Sequence, residues 1–124
     1  MLDFRSDLVN NIYKIRLVIV FMDKIFEITD KFGNKIRLTN KQYKHIQKHP
    51  HLHDPIDVLK LAIRNPTAIR YNEEDESIKY FYKEFKEMLP EERYLLISIK
   101  FLNKEGFIIT AFYTNKITGS KWKI

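Results

Sequence analysis

The sequence predicts an α+β fold in which an N-terminal β-hairpin and two helices pack on one face of a four-stranded antiparallel sheet. Three observations carry this prediction. Apolar and polar residues alternate on either side of Asp30-Lys31-Phe32-Gly33-Asn34, as strands do around a hairpin turn. Two segments of helical character follow, closed by Pro50 and by Asn65-Pro66. The second half then reads as a run of strands, and helices followed by strands indicate segregated α and β layers.

The elements follow in order. Ile25 to Thr29 and Lys35 to Leu38 are the hairpin strands. Thr39 or Asn40 caps a short helix reaching Lys48, which Pro50 stops. Asp54 is expected to cap a second helix, with Pro55 at its first position and Asp57 near the positive end of the dipole. Ile56, Leu59, Ala62 and Ile63 form its apolar stripe. Ala68 to Tyr71 is a short strand, Asn72 to Ser77 an acidic turn, and Ile78 to Phe85 an aromatic strand. Met88 to Glu92 connects it to two strands, Tyr94 to Leu102 and Phe107 to Thr114, joined by Asn103-Lys104-Glu105-Gly106. Their nearly continuous apolar character places them centrally, covered on both faces. Residues 22–124 form one domain. Residues 1–21 are an N-terminal extension, either upstream of a true start at Met22 or an added strand or helix.

Composition narrows the function. A chain of 124 residues with 44% hydrophobic content and no Cys is globular, without disulfides or thiol nucleophiles. No stretch approaches the roughly 20 apolar residues that span a bilayer, so a cytoplasmic protein with no membrane partner is expected. The net charge of +6 favours an acidic partner, nucleic acid first among them. The charge is also segregated. Residues 24–64 hold nine basic and four acidic side chains, residues 71–92 three and eight, and residues 93–124 six and one. An acidic turn facing away from a basic cleft, or an ordinary exposed acidic turn, accounts for this pattern.

All four histidines fall between His45 and His53. On the first helix His45 and His49 are four apart, stacked on one face with Cβ atoms roughly 6 Å apart. Gln42 shares that face, and Lys41, Lys44 and Lys48 surround it. Three chemistries suit this pattern. Imidazoles titrate near neutrality, so one can accept a proton while the other donates. Two His at this spacing with a third nearby can hold zinc, although Ile46 and Gln47 stand where a metalloprotease helix carries its Glu. His49 can instead close the helix end, with His51 and His53 as solvated loop residues.

The last long strand is the second informative place. Strict alternation puts Phe107, Ile109, Ala111 and Tyr113 on one side, and Ile108, Thr110, Phe112 and Thr114 on the other. Ser98 and Lys100 share a face of the preceding strand, and Lys79, Phe81 and Lys83 a face of the one before. Lys79 and Lys100 are thus expected to border one polar surface with the threonines, or to guard strand edges.

The stretch from Leu38 through His45 to His49-Pro50 resembles the His-Pro helix of the phage-type barnase–EndoU–colicin–RelE-like nucleases. Asn65-Pro66, the aromatic Tyr80-Phe81-Tyr82 and the strand Ile108-Ile109-Thr110-Ala111-Phe112-Tyr113-Thr114 extend the resemblance over most of the chain. It implies a metal-independent endoribonuclease that needs no cofactor, with helices on a four-stranded antiparallel sheet and the active site on the opposite, concave face. His45, His49, Lys79, Lys100 and Thr110 are then the catalytic candidates. Gln42, Lys48, Tyr80, Tyr113 and Thr114 are the substrate contacts. The departure from the family is that no Arg stands on the central strands, where Lys100 is the strong cation and Arg70 lies at an edge. Single-stranded or looped RNA is the expected substrate, since exposed bases are readable where A-form helices are not. By analogy with toxin–antitoxin systems, an acidic inhibitor protein is a second expected partner. The alternatives are a non-catalytic RNA- or protein-binding module on the same fold, and a His-cluster metal-binding protein.

Overall fold

The computed structural model describes residues 24–121. The extension expected at residues 1–21 lies outside them. Among the described residues seven strands form a single sheet: β1 (Lys24–Thr29), β2 (Lys35–Thr39), β3 (Ala68–Tyr71), β4 (Ile78–Glu84), β5 (Tyr94–Leu102), β6 (Glu105–Thr114) and the two-residue β7 (Ser120–Lys121). Helix α1 (Asn40–Ile46) follows β2, helix α2 (Ile56–Arg64) precedes β3, and a 3₁₀ turn (Pro90–Glu92) precedes β5.

The α+β class stands, but the four-stranded antiparallel sheet does not. The strand order is β1-β2-β6-β5-β4-β3-β7. The hairpin joins the sheet through β2, which runs parallel to β6 over Lys35–Arg37. The other pairings are antiparallel, so the sheet is mixed. β5 is the central strand, as its apolar run requires.

Local chemistry explains the two hairpin turns that flank the β2–β6 pairing. Asp30 Oδ1 accepts from the backbone N–H groups of Phe32 and Asn34, both at 2.9 Å, and Gly33 takes φ 85°, so the β1–β2 hairpin closes on its own side chain. Asn103, at φ 59°, turns the chain between β5 and β6. That connection is shorter than the four residues expected, because Glu105 and Gly106 already belong to β6. Thr39 caps α1, its hydroxyl accepting from the N–H of Gln42. At α2 the cap position belongs to Pro55 rather than Asp54, and no side chain bonds there.

The main core lies between both helices and one face of the sheet. Ile46, Leu52, Leu59, Ala62 and Ile63 pack against Ile36, Leu38, Ile69, Phe81, Leu95, Ile97, Ile99, Ile108 and Ala111. A fully buried aliphatic side chain of this kind contributes about 1.5–3 kcal/mol. The opposite face carries a smaller cluster of Ala68, Tyr82 and Leu96 with Tyr80, Tyr94, Phe112 and Ile117. The segment after β6 crosses that face to reach β3, anchored where Thr118 hydrogen-bonds the Tyr82 hydroxyl.

Two features position the site. First, β6 carries a bulge. Ser98 pairs with Thr110, but Ile99 pairs with Ile108, so Ile109 is the extra residue. The expected alternation is therefore corrected: Ile108 joins Ala111 in the core, while Thr110 and Phe112 occupy the opposite face. Second, β2 pairs with β6 only as far as Phe107. Beyond that point helix α1 lies against β6.

Candidate functional site

Helix α1 ends at Ile46, short of the expected Lys48, so His45 stands on the helix and His49 on the turns that follow it beside β6. The rings of His45 and His49 meet edge to face, with centroids 5.4 Å apart at 87°. Past Ile46 the chain continues in helical turns, the N–H of His49 bonding the carbonyl of Ile46 at 2.9 Å. His45 is exposed and His49 half-buried. His49 Nε2 is buried without a hydrogen-bond partner, and its ring lies 5.7 Å from that of Phe112. A hollow of about 330 Å³ is lined by His49, Pro50, Glu92, Phe112 and Tyr113.

Glu92 enters the site without a sequence signal. Its Oε2 lies 3.1 Å from His51 Nε2. His51 is exposed, as expected of a loop residue, yet it takes φ 64° and sets its ring 6.5 Å from that of Tyr113. Burial, reinforced by the carboxylates of Glu92 and Glu87, holds the Tyr113 phenol above its ordinary pKa. Among the described residues no three His, Asp or Glu side chains gather around a point where they would hold a metal ion.

Phe112 also borders a larger groove on the sheet face away from the main core. Its volume is about 730 Å³, and its lining includes Tyr80, Tyr82, Ser98, Thr110, Glu73 and Glu74. Ser98, 8% exposed, sits opposite Thr110 across the β5–β6 pair. Thr110 Oγ1 is buried and has no hydrogen-bond partner. Tyr80 accepts a hydrogen bond from Asn72.

The structure thus brings His49 and Tyr113 to one hollow, with His45 set against the His49 ring outside its lining, and Phe112 borders both this hollow and the groove of Thr110 and Tyr80. Thr114, at the end of β6, pairs with Tyr94, and Lys48 stands exposed where the helical turns end. Gln42 faces a different hollow, beside Arg37.

The two lysines expected to share a surface do not. Lys79 pairs with Ile99 and lies on the core side, while Lys100 pairs with Ile78 and lies on the other. Lys79 donates to the Glu76 carbonyl and sits 5.6 Å over the Tyr71 ring. Lys100 is bound to Asp75 at 2.8 Å and also to Ser77. The hydrogen bonds from Lys100 and then Ser77 pull the Asp75 carboxyl down to about 2. The acidic turn therefore does not face away from a basic cleft. Asp75 engages Lys100, while Glu73 and Glu74 line the groove.

Among the described residues no helix is long and apolar enough to cross a membrane. No family model, curated protein or solved structure matches the chain.

Proposed function

We propose that the chain is a metal-independent endoribonuclease of the cytoplasm, cutting single-stranded or looped RNA by attack of the 2′-hydroxyl on the adjoining phosphorus. The observation that carries this reading is the imidazole pair, His45 against His49, with His49 resting on the aromatic side chain that borders the Thr110 groove. One histidine removes the 2′-hydroxyl proton and the other protonates the departing 5′-oxygen. Each such transfer is worth about 10²- to 10⁴-fold in rate. Thr110 donates to the phosphate through its unengaged hydroxyl. Tyr80 and Phe112 offer ring faces on which bases stack, at roughly 1–3 kcal/mol per base. The phosphate-holding role falls to neither Lys79 nor Lys100. The exposed Lys44 and Lys48 flank the histidines in the chain and supply positive charge beside them. The resemblance to the barnase–EndoU–colicin–RelE-like nucleases points the same way, and by the same analogy the chain is a toxin held by an acidic inhibitor protein.

A second reading, RNA binding without scission, is favoured by one observation. The strongest cation of the central strands, Lys100, is neutralised by Asp75. One experiment separates the two. Total RNA is incubated in EDTA with the wild-type chain, His45→Ala and His49→Ala, and new ends are mapped. Ends bearing 2′,3′-cyclic phosphate, lost in the variants, support cleavage. Equal cleavage by both variants removes the histidines from the mechanism. Salt-sensitive binding with intact RNA supports the second reading.

A further inference from the structure

Arg37 is 5% exposed on the sheet face away from the main core. Its Nη2 lies 3.3 Å from Glu27 and 3.6 Å from Glu105, and its guanidinium stands 5.7 Å from the Phe107 ring centre. Nε and Nη1 are buried with no hydrogen-bond partner. Buried donors are nearly always filled, because an unfilled one has lost its hydration and gained nothing in return. The side chain borders a hollow of about 290 Å³ whose other walls include Thr39, Lys41, Gln42 and Ile109.

We infer that this hollow seats a phosphate-class oxyanion, with Arg37 at its base and Lys41 and Gln42 donating at its mouth. The guanidinium is a planar, permanently charged set of donors matched to phosphate oxygens. Two carboxylates also face it, but they engage Nη2, and Glu27 is itself held by Lys24 at 2.6 Å. They orient the guanidinium and leave its other two nitrogens for the ligand.

The identity of the phosphate rests on the proposed function: it is one that flanks the cleaved bond in the same RNA strand. Gln42 borders this hollow and His49 the other, and both hollows lie along β6, at Ile109 and at Tyr113. Seven positions separate Gln42 from His49, running through the end of α1 and the turns that follow it, about 10 Å at the helical rise. A strand laid along α1 thus reaches both. The seat anchors the strand beside the cleaved bond and leaves the reacting phosphate to the groups around His49.

The test follows the Nε–H resonance of Arg37 in the full chain. It is titrated with inorganic phosphate and, separately, with a short oligodeoxyribonucleotide, which lacks the 2′-hydroxyl and is not cut. Both ligands are expected to shift the resonance. Oligonucleotide affinity is expected to fall about tenfold in Arg37→Lys and in Lys41→Ala, the weight of one charge-assisted hydrogen bond. Lys41 is exposed, so its variant tests the seat even where Arg37→Lys disturbs the fold. A shift with phosphate alone rejects the nucleic-acid source and leaves a free-phosphate seat. No shift with either ligand overturns the inference, whatever the RNA digestion shows. A shift with both beside uncut RNA keeps the seat and sinks the nuclease.

Discussion

The ring of His49 lies 5.7 Å from that of Phe112 and is tilted 42° to it. This contact ties the helix to the sheet face away from the main core. It exists because β2 leaves the edge of β6 uncovered beyond Phe107. Phe112 borders both the hollow that holds His49 and the groove that holds Thr110, so among the described residues the two halves of the proposed centre meet at this side chain.

Replacing Phe112 with Ala is therefore expected to act on both stability and activity. The residue is half-buried, so the loss on chemical denaturation should be about 1–3 kcal/mol, less than a fully buried Phe costs. RNA cleavage should fall further than this instability explains, because His49 loses its wall. Phe112→Leu, which keeps an apolar wall, should recover most of the stability and part of the rate. Full cleavage by a folded Phe112→Ala chain would show that the contact does not position His49.

The Asp75–Lys100 pair predicts a pH-dependent contribution to folding. The folded carboxyl titrates at about 2, below its ordinary 3.8. A lowered acid contributes stability that is present above the unfolded value and is lost as pH falls through the folded one. Urea midpoints of the wild type and Asp75→Asn should therefore differ near roughly pH 6 and converge as the pH drops from about 4 towards 2. A gap that stays constant across that range would mean the pair adds nothing through its charge. Lys100→Ala should leave cleavage unchanged.

Sequence pattern located the elements whose cues are local. Ala68–Tyr71 and Tyr94–Leu102 match their expected limits to the residue, and the Asp30 turn follows from its own side chain. What escaped depends on distant partners. Nothing around Ile36 announces that its neighbour is Gly106, so the parallel β2–β6 pairing and the mixed sheet were not legible. The bulge at Ile109 was hidden as well, because any run of alternating residues reads as regular until its partner is known, and one extra residue reverses the facing. For the site, the spacing of His45 and His49 was enough to pair them. Arg37 reads as an outward polar residue between Ile36 and Leu38. It does face outward, and only the tertiary placement of Glu27, Glu105 and Phe107 buries it. Glu92 lies in a connector with no periodicity to mark it.

Gly106 predicts how tightly β6 is pressed into the sheet. A Cβ placed there would lie 2.6 Å from Ile36 Cδ1, 2.9 Å from Ile99 Cγ2 and 3.0 Å from Phe101 Cε1. Ile36 and Ile99 are fully buried, so the intruding methyl must push core side chains off their rotamers. Gly106→Ala should destabilise the fold by about 1–3 kcal/mol in denaturant titration. Pairing it with Ile36→Val, which removes the closest atom, should cost less than the sum of the two single changes. Strict additivity would place the strain elsewhere.

Tyr113 offers a direct optical check on the charge around the His49 hollow. Its phenol is held above the ordinary 10.0, chiefly by burial and next by Glu92 and Glu87. The neutral phenol contributes stability below that ordinary value, and the contribution is lost as pH rises through the raised folded value. The Tyr113 phenolate, isolated as the difference between wild type and Tyr113→Phe in ultraviolet titration, should therefore form later than that of an exposed tyrosine. Glu92→Gln removes one of the two carboxylates and should bring the transition part of the way back. Burial should keep it from returning fully. A titration of Tyr113 at the ordinary value in the folded wild type would mean that water reaches the phenol, and that the wall between Glu92 and Phe112 stands open.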